Sequence, residues 1–294
     1  MPGNLKEVRN RIKSVTNTQQ ITKAMKMVSA AKLRRATERI QQMRPYSVKL
    51  NEMLSNIVSG NSADIQSELA QSREPKKVIV VVVTSDRGLC GGFNSNIIKL
   101  ARRVIAEKYA AASASGNLRI LPVGKKAVDA FRKGYSCITD FQDMFQHLGF
   151  DHSMKASHFL MEAYIRKEVD AIELVYGQFK NAGTQIFTSE PFLPVAKPKE
   201  TGGKKAAAEF VYEPGKEAIV EFLIPKILNT QFFKVLLDSN ASEHGARMTA
   251  MDKASENANE MLKALKISYN RARQAAITTE LTEIVSGAAA LGSN

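Results

Sequence analysis

The sequence predicts an α/β fold: a long antiparallel coiled coil of the N- and C-terminal helices plus a central Rossmann-like α/β domain. Three observations lead there. Between Gly3 and Gly60 there is no glycine and only one proline, Pro45, so one helix can run far beyond ordinary length. After Pro225 the chain is again free of proline to Asn294. Between these ends, Val78–Val83 is a run of six apolar residues, five of them valine, which marks a strand buried on both faces. The reading divides the chain into an N-terminal helix over 1–60, an α/β domain over 75–195, a loop over 196–215 and a C-terminal helix over 216–294.

A seven-residue repeat supports the first helix. One position reads Leu5, Ile12, Gln19, Lys26, Leu33, Ile40, Ser47 and Leu54; the other reads Val8, Val15, Thr22, Ser29, Ala36, Met43, Leu50 and Ile57. The seam turns polar between Gln19 and Ser29, where Ile21, Met25 and Val28 are expected to rotate the apolar face. Pro45 is expected to bend or loosen the helix locally. At about 1.5 Å per residue the helix would be on the order of 80 Å long. Residues 1–50 hold twelve basic side chains and two acids, Glu7 and Glu38, which accounts for most of the chain's net charge of +13.

The C-terminal helix carries a matching seam through Leu237, Ala241, His244, Met248, Met251, Ser255, Ala258, Leu262, Leu265, Tyr269, Ala272 and Ala276. Two such helices can bury their seams on one another, antiparallel. No charge follows Glu283. The closing IVSGAAALGSN is apolar and small, whereas a frayed end is usually polar, so it suggests a socket in a partner.

The middle alternates strand and helix. The valine strand leads through a glycine-rich turn into a helix over 95–109. A strand over 118–123 precedes a helix near 125–133, and CITDF (137–141) is predicted as a third strand. A helix over 154–167 leads to a strand over 171–179. Asn181–Gly183 is a turn signal, and TQIFTSEPFLP returns as a strand.

Composition and motifs exclude several classes. No stretch of 18 apolar residues is present, and MPGNLKEVRNRIK lacks the apolar core of a signal peptide, so a cytosol-side chain is expected. Two cysteines, Cys90 and Cys137, make no disulfide framework. TSDRGLCGGFNSN (84–96) stands where a doubly wound fold binds phosphate, but it lacks G-K-[ST] and the G-x-G-x-x-G spacing. His147, His152 and His158 fit no metal-ligand spacing. No catalytic arrangement and no cofactor site is readable. The basic charge calls for an acidic partner. That leaves three readings: a non-catalytic protein-contact shaft, a nucleotide-binding α/β enzyme with a coiled-coil appendage, and a basic coiled-coil nucleic-acid-binding scaffold.

Three segments resemble one family, the gamma subunits of bacterial-type F-type ATP synthases. They are NTQQITKAMKMVSAAKLRRA (17–36), TSDRGLCGGFN (84–94), and ASEHGARMTAMDKASENA (241–258) with NRARQAAITTELTEIVSGAAAL (270–291). The resemblance implies a non-catalytic rotor stalk inside a hexamer of alpha and beta subunits. Its foot would meet the epsilon subunit and the c-ring of the membrane sector. Turned by proton flow, it would drive the beta sites through their cycle and regulate ATPase activity. The implied location is peripheral, on the cytoplasmic face of the bacterial inner membrane.

Residue by residue, the resemblance places Met25 and Lys26 opposite acidic loops of the beta subunits, and Arg87 and Cys90 in a loop near the same levers. It matches Arg273 and Gln274 to a pair that grips a beta loop. It matches Ile284, Val285 and Leu291 to a tip that turns in an apolar sleeve, and Tyr212 and Glu213 to the foot near epsilon and the ring.

Overall fold

A computed structural model describes residues 5–59, 68–195 and 216–292. Helix α1 runs Leu5–Ser59 and passes through Pro45 without interruption. A 3-10 turn at Glu68–Ala70 precedes strand β1, Val78–Val83. There follow α2 (Phe93–Lys108), α3 (Ala110–Ala114), β2 (Leu118–Val123), α4 (Lys125–Phe131), β3 (Ser136–Cys137) and α5 (Phe150–Ile165). Strands β4 (Ala171–Asn181) and β5 (Thr184–Leu193) form a hairpin, and α6 runs Lys216–Gly292 with Pro225 inside it. The 196–215 loop, with Tyr212 and Glu213, lies outside the described residues.

The five strands form one sheet in the order β3-β2-β1-β4-β5, parallel except for the β4–β5 pair. All six residues of β1 are buried because helices cover both faces, and the twofold alternation of a strand divides them. Val78, Val80 and Val82 pack with Phe93, Ile97, Ala101 and Phe131. Ile79, Val81 and Val83 pack on the other face with Leu160 and Tyr164, and with Ile224, Leu228 and Phe232 of α6. The Asn181 carboxamide turns the hairpin by accepting from the amides of Gly183 (3.0 Å) and Thr184 (2.7 Å).

The third strand is shorter than the sequence predicts. CITDF leaves the sheet after the Ile138 amide donates to the Ile120 carbonyl, and the Gln142 amide then closes a turn on Thr139. Ile138, Phe141 and Phe145 follow helix-like spacing and pack against the core from this turn, so their apolar character serves a different geometry.

The chain divides into two compact units. One comprises Met1–Val28 with Met248–Asn294; the other is Ser29–Arg247 and holds the sheet. Along α1 every position of the seven-residue repeat from Leu5 to Leu50 is buried or half-buried. The expected rotation of the apolar face does not occur. Thr22 and Ser29 are buried although polar, while Ile21 and Val28 are 59% and 56% exposed. In α6 the seam holds from Leu237 to Ala272, and Ala276 is already exposed.

Candidate functional site

In the unit formed by the two chain ends, three contacts fix the antiparallel sense. The Arg9 guanidinium donates to the Tyr269 hydroxyl at 3.1 Å. Thr22 and Ser255 share a hydroxyl–hydroxyl bond of 2.7 Å, and the hydroxyl that accepts in it donates its own proton to a carbonyl of its helix, Gln19 for Thr22 or Met251 for Ser255. Lys26 Nζ donates to Asp252 Oδ1 at 2.5 Å. Lys26, which the resemblance sets opposite acidic loops of another subunit, therefore has a carboxylate of its own chain beside it. Met25 is half-buried.

Beyond Ala272 the helix changes character. Every side chain from Arg273 to Ala288 is exposed, Arg273 and Gln274 among them. Ile277, Leu281, Ile284 and Val285 are 45%, 57%, 68% and 65% exposed, and their steps of three and four residues align them in one stripe. Leu291 lies in the last helical turn, and its side chain is outside the described residues.

The turn after β1 belongs to the sheet-bearing unit and is built from inward-facing polar groups. Asn94 Oδ1 accepts from the Ser85 amide at 3.0 Å, and Asn94 Nδ2 donates to Ser85 Oγ at 2.8 Å. Ser85 Oγ in turn donates to the Arg87 carbonyl at 2.7 Å. Gly124, at φ +91°, brings the next turn so close that a Cβ there would stand 2.3 Å from the Thr84 carbonyl.

Cys90, placed by the resemblance among the partner-contact residues, offers a partner no surface. It is 2% exposed, and its Sγ lies 3.2 Å from Asn94 Nδ2. The exposed residues of the turn are Arg87, Gly88, Leu89, Gly91 and Gly92, and of these Arg87 and Leu89 carry the side chains. From α6, Arg247 Nη2 donates to the carbonyls of Arg87 (3.0 Å) and Gly88 (3.1 Å), while its other terminal nitrogen is paired with Glu243 one helical turn away. Arg247 and Glu243 are both buried. A phosphate cradle turns amide N–H groups outward to meet an anion. This turn gives two carbonyls to a cation, the opposite polarity, so nucleotide binding finds no support in it.

Burial drives the remaining titration effects here. His244 is pushed down to about 4, first by burial and then by the cations Arg247 and Lys32. Asp238 is pushed up to about 6 by burial and the nearby Glu190, against the pull of Lys234 and Arg44. The Glu243 carboxyl is raised by burial while Arg247 draws it back. Sequence reasoning missed Arg247, Glu243, Asp238 and Leu89. The Glu–Arg spacing of four residues is a readable signal for a helical pair; the carbonyls that the pair serves, some 160 positions earlier, are not.

Among the described residues no group of three or more metal-ligating side chains occurs, and no helix is long and apolar enough to cross a membrane. The His147 and His152 rings stack on one another at 5.8 Å.

Long helices of the two chain ends paired along a buried seam, with one bare helical end, are the framework of a shaft-type protein. A family model described as ATP synthase matches residues 4–291. ATP synthase gamma chains of Cytophaga hutchinsonii and Chlorobaculum parvum are 54% and 50% identical to this chain, covering 99% and 98% of both partners in each comparison. Among solved structures, a chain from the Tetrahymena thermophila mitochondrial ATP synthase central stalk and c-ring aligns with a TM-score of 0.58 at 25% identity. That match covers 80% of this chain and 99% of the other. A rotor chain of the Euglena gracilis mitochondrial enzyme shares the fold, with a TM-score of 0.65 at 22% identity over 94% and 99%. The chain belongs to the family of ATP synthase gamma chains. A gamma chain is a non-catalytic subunit of the ATP synthase complex.

Proposed function

We propose that this chain transmits torque in a bacterial ATP synthase, peripheral to the cytoplasmic face of the inner membrane, with its paired ends inside an alpha–beta hexamer. The observation that carries this reading is the bare end of α6. A single helix exposing Ile277, Leu281, Ile284 and Val285 on one stripe is poorly suited to water, and an apolar sleeve would cover it. A tip without charge from Ile284 onward suits a bearing, because no ion pair has to break as the shaft turns.

Arg273 and Gln274 stand at the base of this bare end. A planar guanidinium there can take a carboxylate with two parallel bonds, while Gln274 adds a donor and an acceptor. Met25, Lys26 and Arg87 are further contacts with the hexamer, and Cys90 acts only through the turn it supports. The foot, with Tyr212 and Glu213, meets the epsilon subunit and the ring. Free energy passes through the shaft as a difference in contact between successive beta conformations.

The test is assembly of truncated chains with alpha and beta subunits. Removing Gly292–Asn294 leaves assembly and coupled synthesis near normal. Ending the chain at Glu283 weakens assembly, at about 25 cal/mol for each Å² of apolar surface left unburied. Full assembly by the shorter chain overturns the sleeve.

A further inference from the structure

Leu89 combines two costs with no return inside the chain. Its φ is +65°, in the left-handed region that glycine and asparagine enter easily and a leucine does not. Its side chain is 65% exposed, so it adds little to the core. Glycines were available to the turn, which uses Gly88, Gly91 and Gly92 beside it. A strained backbone persists only where its surroundings over-determine it. Here they do: Arg247 takes the carbonyls of Arg87 and Gly88, the two residues before Leu89. Cys90, the residue after it, is held at 2% exposure beside Ser85 and Asn94.

We propose that Arg87–Leu89 is a preformed contact element, with Leu89 its apolar anchor and Arg247 the positioning residue that keeps it in shape. The proposal rests on the rotor reading above and deepens it by naming an anchor and its support. Asp86 is half-buried and its carboxylate is occupied in accepting from the Lys125 amide at 3.2 Å, so the fully exposed side chains of the turn are one cation beside one leucine. The matching surface on a hexamer subunit is an apolar pocket with an acidic rim. Arg247 spans from α6 to the turn, and Glu243 holds the guanidinium in register, so the stance of the turn is tied to the shaft helix.

Three variants in a Cys137→Ser background test this, each assayed as the full chain and in the reconstituted alpha–beta–gamma complex. Leu89→Gly relieves the backbone and removes the anchor. Its thermal midpoint stays or rises, Cys90 alkylation is unchanged, and ATP hydrolysis by the complex falls roughly tenfold, the worth of one leucine removed from water. A residue that merely packs the fold gives the reverse pattern, a lowered midpoint, and that result overturns the proposal, as does full activity. Arg247→Gln frees the turn, so Cys90 is alkylated at least about tenfold faster in the full chain and hydrolysis falls in the complex. Arg247→Lys, which keeps the cation without the fork, lies between wild type and Gln on both readouts. Unchanged Cys90 reactivity in Arg247→Gln overturns the positioning role. Failure of the wild-type chain to assemble with alpha and beta subunits is a different result; it defeats the rotor reading, whereas the thiol readout concerns the turn alone.

Discussion

The unit that holds the sheet and the unit formed by the two chain ends bury their residues by different rules. In the sheet-bearing unit the apolar residues meet each other: Ile79, Val81, Ile172 and Leu174 are 0% exposed. Some of its buried polar groups are matched in place, as where Glu173 on β4 accepts from Lys108 Nζ at 2.6 Å and from the Tyr109 hydroxyl at 3.0 Å, while others, such as Ser242 Oγ and His244 Nδ1, have no hydrogen-bond partner among the described residues. In the unit of chain ends the seam itself carries Thr22, Lys26, Asp252 and Ser255, while Ile21, Met27, Ile267 and Ile284 lie exposed. Hydrophobic burial holds the first unit by itself; the second leaves much of its apolar surface for something else to cover. In this gamma chain, then, one unit covers its own apolar surface and the other leaves an apolar stripe bare.

The largest expected effect sharpens this contrast. Ile172→Ala removes a fully buried side chain from β4, an inner strand of the sheet, and costs about 2–5 kcal/mol. Ile21→Ala, at 59% exposure on α1, shifts stability by no more than about 0.5 kcal/mol. Native-state hydrogen exchange reads the two regions separately and checks both. Equal losses at the two sites break the distinction.

A pH series comes next. His244 has a folded-state value of about 4 against 6.5, so the unfolded chain binds the proton first and stability falls as pH drops from 6.5 toward 4. Asp238 is raised from 3.8 to about 6, so the folded chain binds the proton first and stability grows as pH drops from 6 toward 3.8. Each contribution is about 3 kcal/mol at its full extent, and they oppose one another. Wild type therefore changes little between pH 6 and 4 on their account. His244→Gln unmasks a gain on acidification and Asp238→Asn a loss. Denaturant midpoints across that window check the pair, and slopes of the same sign in both variants overturn the assignment.

The hydroxyl pair in the seam has a smaller effect. Thr22→Ala removes the bond across the helices while Ser255 keeps the Met251 carbonyl, and costs about 0.5–1.5 kcal/mol. Replacing both by valine restores most of that, since two apolar groups of similar shape need no bond. A double variant as unstable as the single one would mean that the hydroxyls hold the seam in some way beyond their mutual bond.

These residues also show what the sequence could and could not reveal. The phase of the α1 repeat was readable from Leu5 to Leu50 because side chains three and four apart must share a face. That Thr22 would stay inside was not readable, since its partner Ser255 comes from the other end of the chain. The valine strand announced itself by composition, whereas β3 did not: Ile138 and Phe141 have strand-like chemistry but pack from a turn. The outward residues of the tip, Ile277 to Val285, fit the seam spacing equally well. Only the start of α1 at Leu5, with Arg9 already at Tyr269, shows why they lack a partner helix among the described residues. The fold was therefore mostly legible, and the contact surfaces were legible only by resemblance.

The smallest effect concerns Lys26 and Asp252. Their side chains are 42% and 45% exposed, so the 2.5 Å bond lies in reach of water and salt. A pair of this kind contributes about 0–1 kcal/mol, and Lys26→Met or Asp252→Asn changes the stability of the chain by no more than that. A double-mutant cycle gives a coupling of a few tenths of a kcal/mol that fades in high salt. The consequence lies in assembly. Asp252 is the internal competitor for the cation that an acidic partner surface would take, so Asp252→Asn leaves Lys26 free and tightens binding to the hexamer at low ionic strength. Lys26→Met loosens it, and both differences shrink as salt is raised. The buried Arg247–Glu243 pair behaves otherwise, because salt does not reach it and breaking it strands a charge. If the Lys26–Asp252 coupling exceeds about 2 kcal/mol and ignores salt, the seam of the chain ends is a lock like its counterpart in the sheet-bearing unit. The idea that this end keeps its strongest contacts for another subunit then fails.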